Sequence, residues 1–190
     1  MTQAMQQPRI RNGVNVDQLF GTLNAIKAQP ALGTFQFRVN NRWLGGAHNQ
    51  STVKEFYGAG QEDSSRATPF ILDAGEPPVL IGTNEGPNPA EFALHALAAC
   101  LTTSLVYVAA ARGVQLTAVE STLEGDLDVQ GGLGLSDTVR NGFERIRVTF
   151  KVESDAPVEK IRELVARAQS RSVVFDTISQ PVAVTVELAE

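Results

Sequence analysis

Cys100, the only cysteine of the chain, is the residue best suited to covalent chemistry, because a thiolate is a strong nucleophile. It lies in the middle of NPAEFALHALAACLTTSLVYVAAARG, residues 88–113, which carries no formal charge between Glu91 and Arg112. Two interpretations of the cysteine stay open. Free cysteine is among the most buried residue types and often only fills core space. Alternatively, the helix holds a reactive sulfur.

Few other residues near Cys100 in the sequence suggest chemistry. Glu91 precedes it by nine residues, about 180° round an ideal helix, so we expect no contact within one helix and favour a capping carboxylate. His95 lies about 140° away and is expected to be a packed helix residue. His48, close to Trp43 in a strand-rich region, cannot be placed relative to Cys100. With two histidines and one cysteine, we predict no metal site.

Known cofactor and catalytic motifs do not occur in the sequence. There is no GxSxG turn for a serine nucleophile, and the glycines of GGLGLSDTVRNG lack the spacing of a phosphate loop or dinucleotide fingerprint. We therefore expect no cofactor.

Composition narrows the class of protein. Of 190 residues, 43% are hydrophobic and 19% charged, which is typical of a globular chain with room for a sizeable core. The net charge of -5 and the scattered basic residues argue against a nucleic-acid partner. One cysteine excludes a disulfide framework, and a free thiol favours the reducing cytoplasm. The first 20 residues lack the apolar segment of a secretory signal.

The apolar stretch from Phe92 to Ala111 is about as long as a membrane span, roughly 20 residues. Much of it is alanine, however, and it is interrupted by His95, Tyr107 and hydroxyl residues. A helix that is apolar all round also suits the centre of a core. We expect a buried helix and no membrane partner.

The elements follow from periodicity and from caps. Residues 1 to about 14 look like a polar, flexible arm, and a helix is predicted from about Asp17 to Gln29, ended by Pro30. Strands follow, with a hairpin turn at Asn40–Asn41 and short apolar runs at residues 70–72 and 79–81. AGQEDSSRATP is predicted to be a polar loop.

The central helix has strong end signals. Asn88 suits the N-cap, Pro89 the first helical position and Glu91 the capping box, while Gly113 suits the left-handed position after the helix. Two long strands follow, LTAVESTLEGDLDVQ and FERIRVTFKVE, joined by a glycine-rich loop. A helix capped by Ser154 or Asp155, a short helix over about 172–179 and a last strand, VAVTVELAE, complete the chain. This order predicts an α+β fold with antiparallel-rich sheets.

The stretch EGPNPAEFALHALAACLTTSLVYVAAARGV, with the element order after it, resembles the OsmC/Ohr family. The shared pattern is an Asn-Pro helix cap, a carboxylate, and ALAAC in the central helix, and the resemblance covers roughly residues 33–190. We accordingly predict an N-terminal arm and short helix over 1–32 and an OsmC-like domain over 33–190. The resemblance implies an intertwined homodimer in which sheets from both chains wrap the long central helices.

The resemblance also implies an activity, the thiol-dependent reduction of organic hydroperoxides in oxidative stress. Cys100 matches the attacking cysteine. Glu91 matches the helix-cap carboxylate approximately, since the spacing in the well-studied peroxidases would land on Ala90. The family's second cysteine is absent, and Ser172 occupies its expected place. No Lys or Arg occurs between Arg66 and Cys100, so the activating arginine could only be a substitute, for which Arg38, Arg42 and Arg66 are the candidates.

Two functions from different classes remain open. In the first, Cys100 is the nucleophile of a one-cysteine peroxidase, Glu91 orients a donor or the peroxide, and an external thiol is the reductant. In the second, the dimer binds a small apolar molecule, or is structural, without catalysis. Lacking a nearby cation, a thiol among alanines is expected to have a raised pKa and to stay protonated.

Overall fold

The computed structural model describes residues 7–189, which form α-helices and antiparallel sheets. Among these residues two compact units can be separated, one of residues 7–16 with 94–189 and one of residues 17–93. The α+β class predicted from the element order is confirmed. The division into an arm and helix over 1–32 and a domain over 33–190 stays a prediction, and residues 1–6 of the predicted arm lie outside the described residues.

In the first unit, a small hairpin replaces part of the predicted arm. Strand β1 (Ile10–Arg11) pairs with β2 (Val14–Asn15) across Asn12 and Gly13, which both have positive φ. Asn-Gly is a strong hairpin-turn signal because both residues tolerate that conformation. The Asn12 side chain donates to the carbonyl of Val114 and accepts from the amide of Leu116. The hairpin is thereby attached to the chain that follows the central helix.

After helix α1 (Val16–Ala28), the next long helix is the central one, α2 (Pro89–Ala111). The predicted capping box is confirmed, since the Glu91 amide donates to Asn88 Oδ1 and the Asn88 amide donates to the Glu91 carboxylate, both at 2.8 Å. At the other end Gly113 has a φ of 76°, as the C-terminal signal predicts. Both ends of α2 were therefore readable from the sequence.

Helix α2 is long and apolar enough to cross a membrane by length and composition alone. Core helices of soluble proteins meet the same criterion. Here Leu105 and Ala109 of α2 are completely buried within the first unit. They pack in one cluster with Leu164 and Ala168, so α2 serves as a core helix.

The rest of this core comes from a long two-stranded ladder and a helix. Strand β9 (Leu116–Asp126) pairs antiparallel with β10 (Arg145–Ser154), as predicted, and a single helical turn, α3 (Val129–Gly132), lies in the loop between them. Helix α4 (Val158–Gln169) packs its apolar stripe into the same cluster. Its N-cap is Pro157, with no side-chain bond, so the predicted capping by Ser154 or Asp155 is wrong. Ser154 bonds instead to the Gln115 carbonyl and the Ala156 amide.

Helix α5 (Val173–Ser179) confirms the predicted short helix, and Ser172 is its N-cap. The predicted last strand is wrong for this chain, because residues 181–189 form no strand. A strand requires a neighbour for its backbone groups, and this segment has no ladder partner among the described residues. Its alternate side chains are exposed, with Val184 at 77% and Val186 at 90%.

The second unit contains α1, the first turn of α2 and two three-stranded antiparallel sheets. One sheet has the order β3–β6–β7 and the other β4–β5–β8. The strands are β3 (Gln36–Phe37), β4 (Asn40–Gly45), β5 (His48–Val53), β6 (Phe56–Gly58), β7 (Gln61–Asp63) and β8 (Phe70–Ala74).

Three local predictions in this unit are wrong. Asn40 and Asn41 lie inside β4, and the hairpin turn falls five residues later, where Gly46 supplies the positive φ that such a turn requires. The predicted polar loop contains β7, since Ala59 and Gly60 form a tight turn with positive φ. The apolar run at 79–81 lies in a 3₁₀ turn, Pro78–Leu80, in place of a strand, because proline fixes φ and lacks the amide a ladder needs.

Candidate functional site

Cys100 lies within the first unit, half-buried, between its own helix and the beginning of α5. Four hydrogen-bonding groups act on the pKa of its thiol. They are the hydroxyls of Ser172 and Ser104 and the backbone N–H groups of Val173 and Val174. The amides belong to the first turn of α5, where backbone N–H groups have no partner within the helix. The cysteine is therefore surrounded by donors, although its own helix is nearly all apolar.

These donors decide the acidity of the thiol. Burial, the largest single influence, raises the pKa of Cys100, but the hydrogen bonds from Ser172, from the two α5 amides and from Ser104 together lower the pKa below its ordinary value of 9.0. Hydrogen bonds to the charged form favour that form, and a helix N-terminus adds to the effect. The expectation that the pKa of Cys100 is raised was therefore wrong. Three of the donors, Ser172, Val173 and Val174, lie more than 70 residues away in the sequence, so no local pattern indicated them.

Ser172 has two roles at this position. It is 2% exposed, and its Oγ accepts a hydrogen bond of 3.1 Å from the Phe175 amide, as a helix N-cap does. The same hydroxyl has one proton to donate, and Ser172 is the first of the groups that lower the pKa of Cys100. Ser172 is thus the residue that joins the start of α5 to the thiol.

Glu91 and Cys100 are both on α2, but they are far apart along it. Nine residues correspond to about 13.5 Å of helix rise and to opposite faces. Glu91 is exposed, and its carboxylate is engaged in the capping box. A catalytic role for Glu91 stays a prediction, while its structural role is established by the two reciprocal hydrogen bonds.

The candidate arginines all lie in the second unit and have partners there. Arg38 forms a bidentate pair with Glu62, Arg42 donates to Gln50 Oε1, and Arg66 donates to the Lys54 carbonyl. The Arg66 guanidinium also lies over the rings of Phe56 and Phe70, at 5.1 and 5.4 Å. The lowered pKa of Cys100 arises from hydrogen bonds, and no arginine contributes to it.

Neither histidine is among the groups that act on the pKa of Cys100. His48 Nε2 lies 2.9 Å from the Asp73 carboxylate, which also accepts from Gln50, all within the second unit. The pKa of Asp73 is lowered mainly by the hydrogen bond between Asp73 and His48, and next by the one between Asp73 and Gln50. His95 is exposed in this chain, so the prediction that it is packed is wrong. Among residues 7–189 no cluster of three metal-ligating side chains occurs.

A groove of about 350 Å³ lies in the first unit between β10, α5 and one side of α2. Its apolar lining consists of Leu97, Phe143, Ile146, Val148, Phe175 and Ile178. A smaller hollow of about 220 Å³ shares three of these residues and includes Leu101. On an ideal helix Leu97 and Leu101 lie about 60° and 100° round from Cys100, on the same side of α2. The α2 side of both hollows is thus formed by helix neighbours of Cys100, and the groove provides space for an apolar molecule.

The first unit therefore combines a thiol of lowered pKa with an apolar groove. A thiolate held by four donors can attack an electrophile such as a peroxide oxygen. Ser172 cannot form a disulfide, so any oxidised form of Cys100 must be reduced by a thiol from outside the chain. Of these groups, sequence reasoning had singled out Cys100 and Ser172. It missed the α5 amides and the β10 side of the groove, for which no local signal existed.

The family model for OsmC-like protein matches residues 82–187. The chain belongs to the OsmC-like family. The match begins just before the capping box of α2 and ends in the unpaired terminal segment, so it includes Cys100, Ser172 and the whole groove. The resemblance drawn from the ALAAC stretch is confirmed. No curated protein matches the sequence.

Solved structures of the family share the fold. An OsmC-like protein from Mycoplasma pneumoniae has a TM-score of 0.57 at 14% identity, covering 77% of this chain and 89% of its own. An organic hydroperoxide resistance protein from Elizabethkingia anophelis has a TM-score of 0.53 at 13% identity, covering 76% and 90%. One from Legionella pneumophila has a TM-score of 0.50 at 20% identity, covering 75% and 89%. At these identities the likeness concerns the OsmC fold alone.

Proposed function

We propose that this OsmC-like protein is a stress-related, one-cysteine thiol peroxidase that reduces organic hydroperoxides with an external thiol. The single observation that carries the proposal is the set of donors at Cys100, which lowers the pKa of a half-buried thiol. Donors to the sulfur favour the thiolate, which is the form of cysteine that attacks a peroxide. A reducing cytoplasm would supply the thiol.

The reaction proceeds in balanced steps. The Cys100 thiolate attacks the outer peroxide oxygen, the O–O bond breaks, and an alcohol leaves after taking a proton, so that cysteine becomes a sulfenic acid. A reducing thiol then displaces water to form a mixed disulfide with Cys100. A second thiol attacks this disulfide, which releases the reductant in its oxidised form and restores the thiolate. The donors from Ser172 and α5 stabilise the sulfur anion before and after each cycle.

The apolar groove supports the choice of organic hydroperoxides over hydrogen peroxide. Its six apolar side chains would bury an alkyl or aryl group close to Cys100. Burying apolar surface contributes about 25 cal/mol per Å², a gain that hydrogen peroxide cannot make. We expect kcat/KM for cumene hydroperoxide to exceed that for hydrogen peroxide.

The proposed catalytic role of Glu91 is to orient a donor or the peroxide, and it is separable from the capping role. Glu91→Gln keeps an acceptor oxygen for the Asn88 amide and removes the charge. If the charge orients a reacting group, kcat/KM falls while the free energy of unfolding stays near that of the wild type. If both quantities are unchanged, Glu91 is only a helix cap.

A homodimer is part of the proposal. It is supported by apolar surface that a soluble monomer rarely presents, including Trp43 at 74% and Phe37 at 70% exposure in the second unit. In the first unit the unpaired segment 181–189 exposes Val184 and Val186 on one face. Sedimentation velocity tests the assembly. We expect twice the mass of the chain, and a monomer at micromolar concentration contradicts the dimer.

The central experiment compares the wild type with Cys100→Ser. We expect the wild type to consume cumene hydroperoxide with a thiol reductant, and Cys100→Ser to lose this activity with an unchanged circular dichroism spectrum. The alkylation rate of Cys100 against pH is measured in parallel and should show a thiolate below the ordinary range. A wild type that consumes no peroxide with either a monothiol or a dithiol contradicts the peroxidase.

The groove also favours a second candidate, a non-catalytic protein that binds a small apolar molecule. In that case Cys100 would only border the binding site. An apolar fluorescent probe would then bind equally well to the wild type and to Cys100→Ser, and neither would consume peroxide. Binding together with a Cys100-dependent activity supports the enzyme.

A further inference from the structure

The chain contains two Asn-Gly pairs, Asn12–Gly13 and Asn141–Gly142. In such a pair the backbone nitrogen of the glycine can attack the side-chain amide of the asparagine, because glycine has no side chain to obstruct the approach. The two pairs are chemically identical in the sequence, so a difference in their reactivity has to come from the structure. The structure places them in opposite surroundings.

The Asn12 side chain is held at both ends. It is half-buried, its Nδ2 donates to the Val114 carbonyl at 3.0 Å, and its Oδ1 accepts from the Leu116 amide at 2.9 Å. The backbone of Asn12 and Gly13 is also fixed, because they form the turn between β1 and β2. The side-chain carbonyl carbon of Asn12 cannot turn towards the Gly13 nitrogen without breaking both hydrogen bonds.

The second pair is free of such contacts. Asn141 is exposed and lies outside any helix or strand, between α3 and β10. Among residues 7–189, neither the Asn141 side chain nor the Gly142 amide has a hydrogen-bond partner. A Cβ added at Gly142 would meet only the Arg140 side chain, at 3.6 Å or more. The attacking nitrogen and the amide that it attacks are therefore both accessible.

We propose that Asn141 is a site of spontaneous deamidation, and that the structure protects Asn12 from the same reaction. The Gly142 nitrogen forms a bond to Cγ of Asn141, and ammonia leaves with the proton of that nitrogen, which closes a succinimide ring. Water then opens the ring at either carbonyl and leaves an aspartate or an isoaspartate at this position. The reaction needs no enzyme and no Cys100 chemistry, so the inference is independent of the proposed function.

The residues after the pair keep the modification local. A Cβ at Gly125 would lie only 2.4 Å from the Phe143 ring, so this ring packs directly on the β9 backbone. The Glu144 amide then donates to the Asp126 carbonyl at 2.9 Å, just before β10 begins. Both contacts lie beyond the succinimide. We therefore expect the modified chain to keep the β9–β10 ladder and to accumulate as the protein ages.

The test is incubation of the folded full-length protein in mildly alkaline buffer, followed by digestion and mass spectrometry. We expect the peptide with Asn141 to gain one dalton, and the peptide with Asn12 to do so about tenfold more slowly or less, because two hydrogen bonds have to break first. Methyl transfer by an isoaspartyl methyltransferase identifies the isoaspartate. No gain at Asn141, or equal rates at both positions, overturns the proposal.

Two controls show whether the structure causes the difference. In guanidinium chloride the two pairs should react at similar rates, and a slow Asn12 in the unfolded chain contradicts protection by the fold. Gly142→Ala should slow deamidation of Asn141 in the folded protein, since a methyl group fits there and obstructs the attack. Gly132→Ala is the matched control, because a Cβ at Gly132 has only the Asn141 carbonyl oxygen at 4.0 Å and leaves the pair intact. Equal rates in these two variants contradict attack by the Gly142 nitrogen.

Discussion

Removing the Ser172 hydroxyl should make Cys100 a poorer nucleophile at neutral pH. This hydroxyl is the first of the hydrogen-bonding groups that lower the pKa of the thiol, and it is almost completely buried. A hydrogen bond to a charged acceptor contributes about 1.5–3 kcal/mol, which we reduce to about 1–2 kcal/mol because the sulfur is only half-buried and three other donors remain. This corresponds to a roughly 5- to 30-fold smaller thiolate fraction.

The choice of substitution separates acidity from stability. Ser172 also caps α5, and alanine at an N-cap costs about 1 kcal/mol, whereas glycine costs only a few tenths. Ser172→Gly therefore removes the donor to the sulfur with little loss of the helix. Ser172→Ala removes both the donor and the cap.

The assay is the rate of Cys100 alkylation by iodoacetamide against pH. At pH 7 we expect Ser172→Gly to react about 5- to 30-fold more slowly than the wild type, with the difference vanishing where both thiols are ionised. Ser170→Ala is the control, because its hydroxyl donates to the Arg167 carbonyl on the surface. Superimposable profiles of Ser172→Gly and the wild type would refute the reasoning, as would an equal effect of Ser170→Ala.

Three further outcomes follow from the packing and the site. Leu105→Ala, at a completely buried position, should lower the free energy of unfolding by about 2–5 kcal/mol in a denaturant titration, while Leu133→Ala, at 61% exposure, should change it little. Ser172→Cys should form a disulfide with Cys100 after hydroperoxide treatment, seen as loss of both thiols in a thiol titration. Two persistent thiols would show that the side chains are not adjacent. The pKa of Cys100 in the folded protein lies below the ordinary 9.0. The free energy of unfolding of the wild type, relative to Cys100→Ser, should therefore increase as the pH rises from the folded pKa to the ordinary value. This extra stability should be lost as the pH falls through the folded pKa. A pH-independent difference contradicts a stabilised thiolate.

Elements whose signals are local were readable from the sequence. The Asn88 and Glu91 capping box, the glycine after α2 and the alternation along β10 each depend on residues within a few positions. Local signals misled where two competed. Asn40–Asn41 tolerates a turn, but Gly46 does so at lower cost, and the turn formed at the glycine. The Asn12–Gly13 hairpin shows the opposite error, a local signal that was present and was overlooked.

The terminal segment shows where a correct pattern is insufficient. Residues 181–189 alternate as a strand does, and within this chain they pair with nothing. Alternation specifies which face is apolar, whereas a strand also requires a neighbouring edge. A single sequence cannot specify an edge that another chain would provide.

For the candidate site, the sequence by itself determined the candidate nucleophile, the helix that carries it and the serine in place of a second cysteine. Only the tertiary structure decided the acidity of the thiol, because the hydroxyl of Ser172 and the amides of α5 reach Cys100 from more than 70 residues along the chain. The groove depends in the same way on β10 and α5 packing beside α2. The pKa of a thiol is set by the dipoles and charges within a few ångströms of it, and those neighbours are chosen by the packing of distant segments.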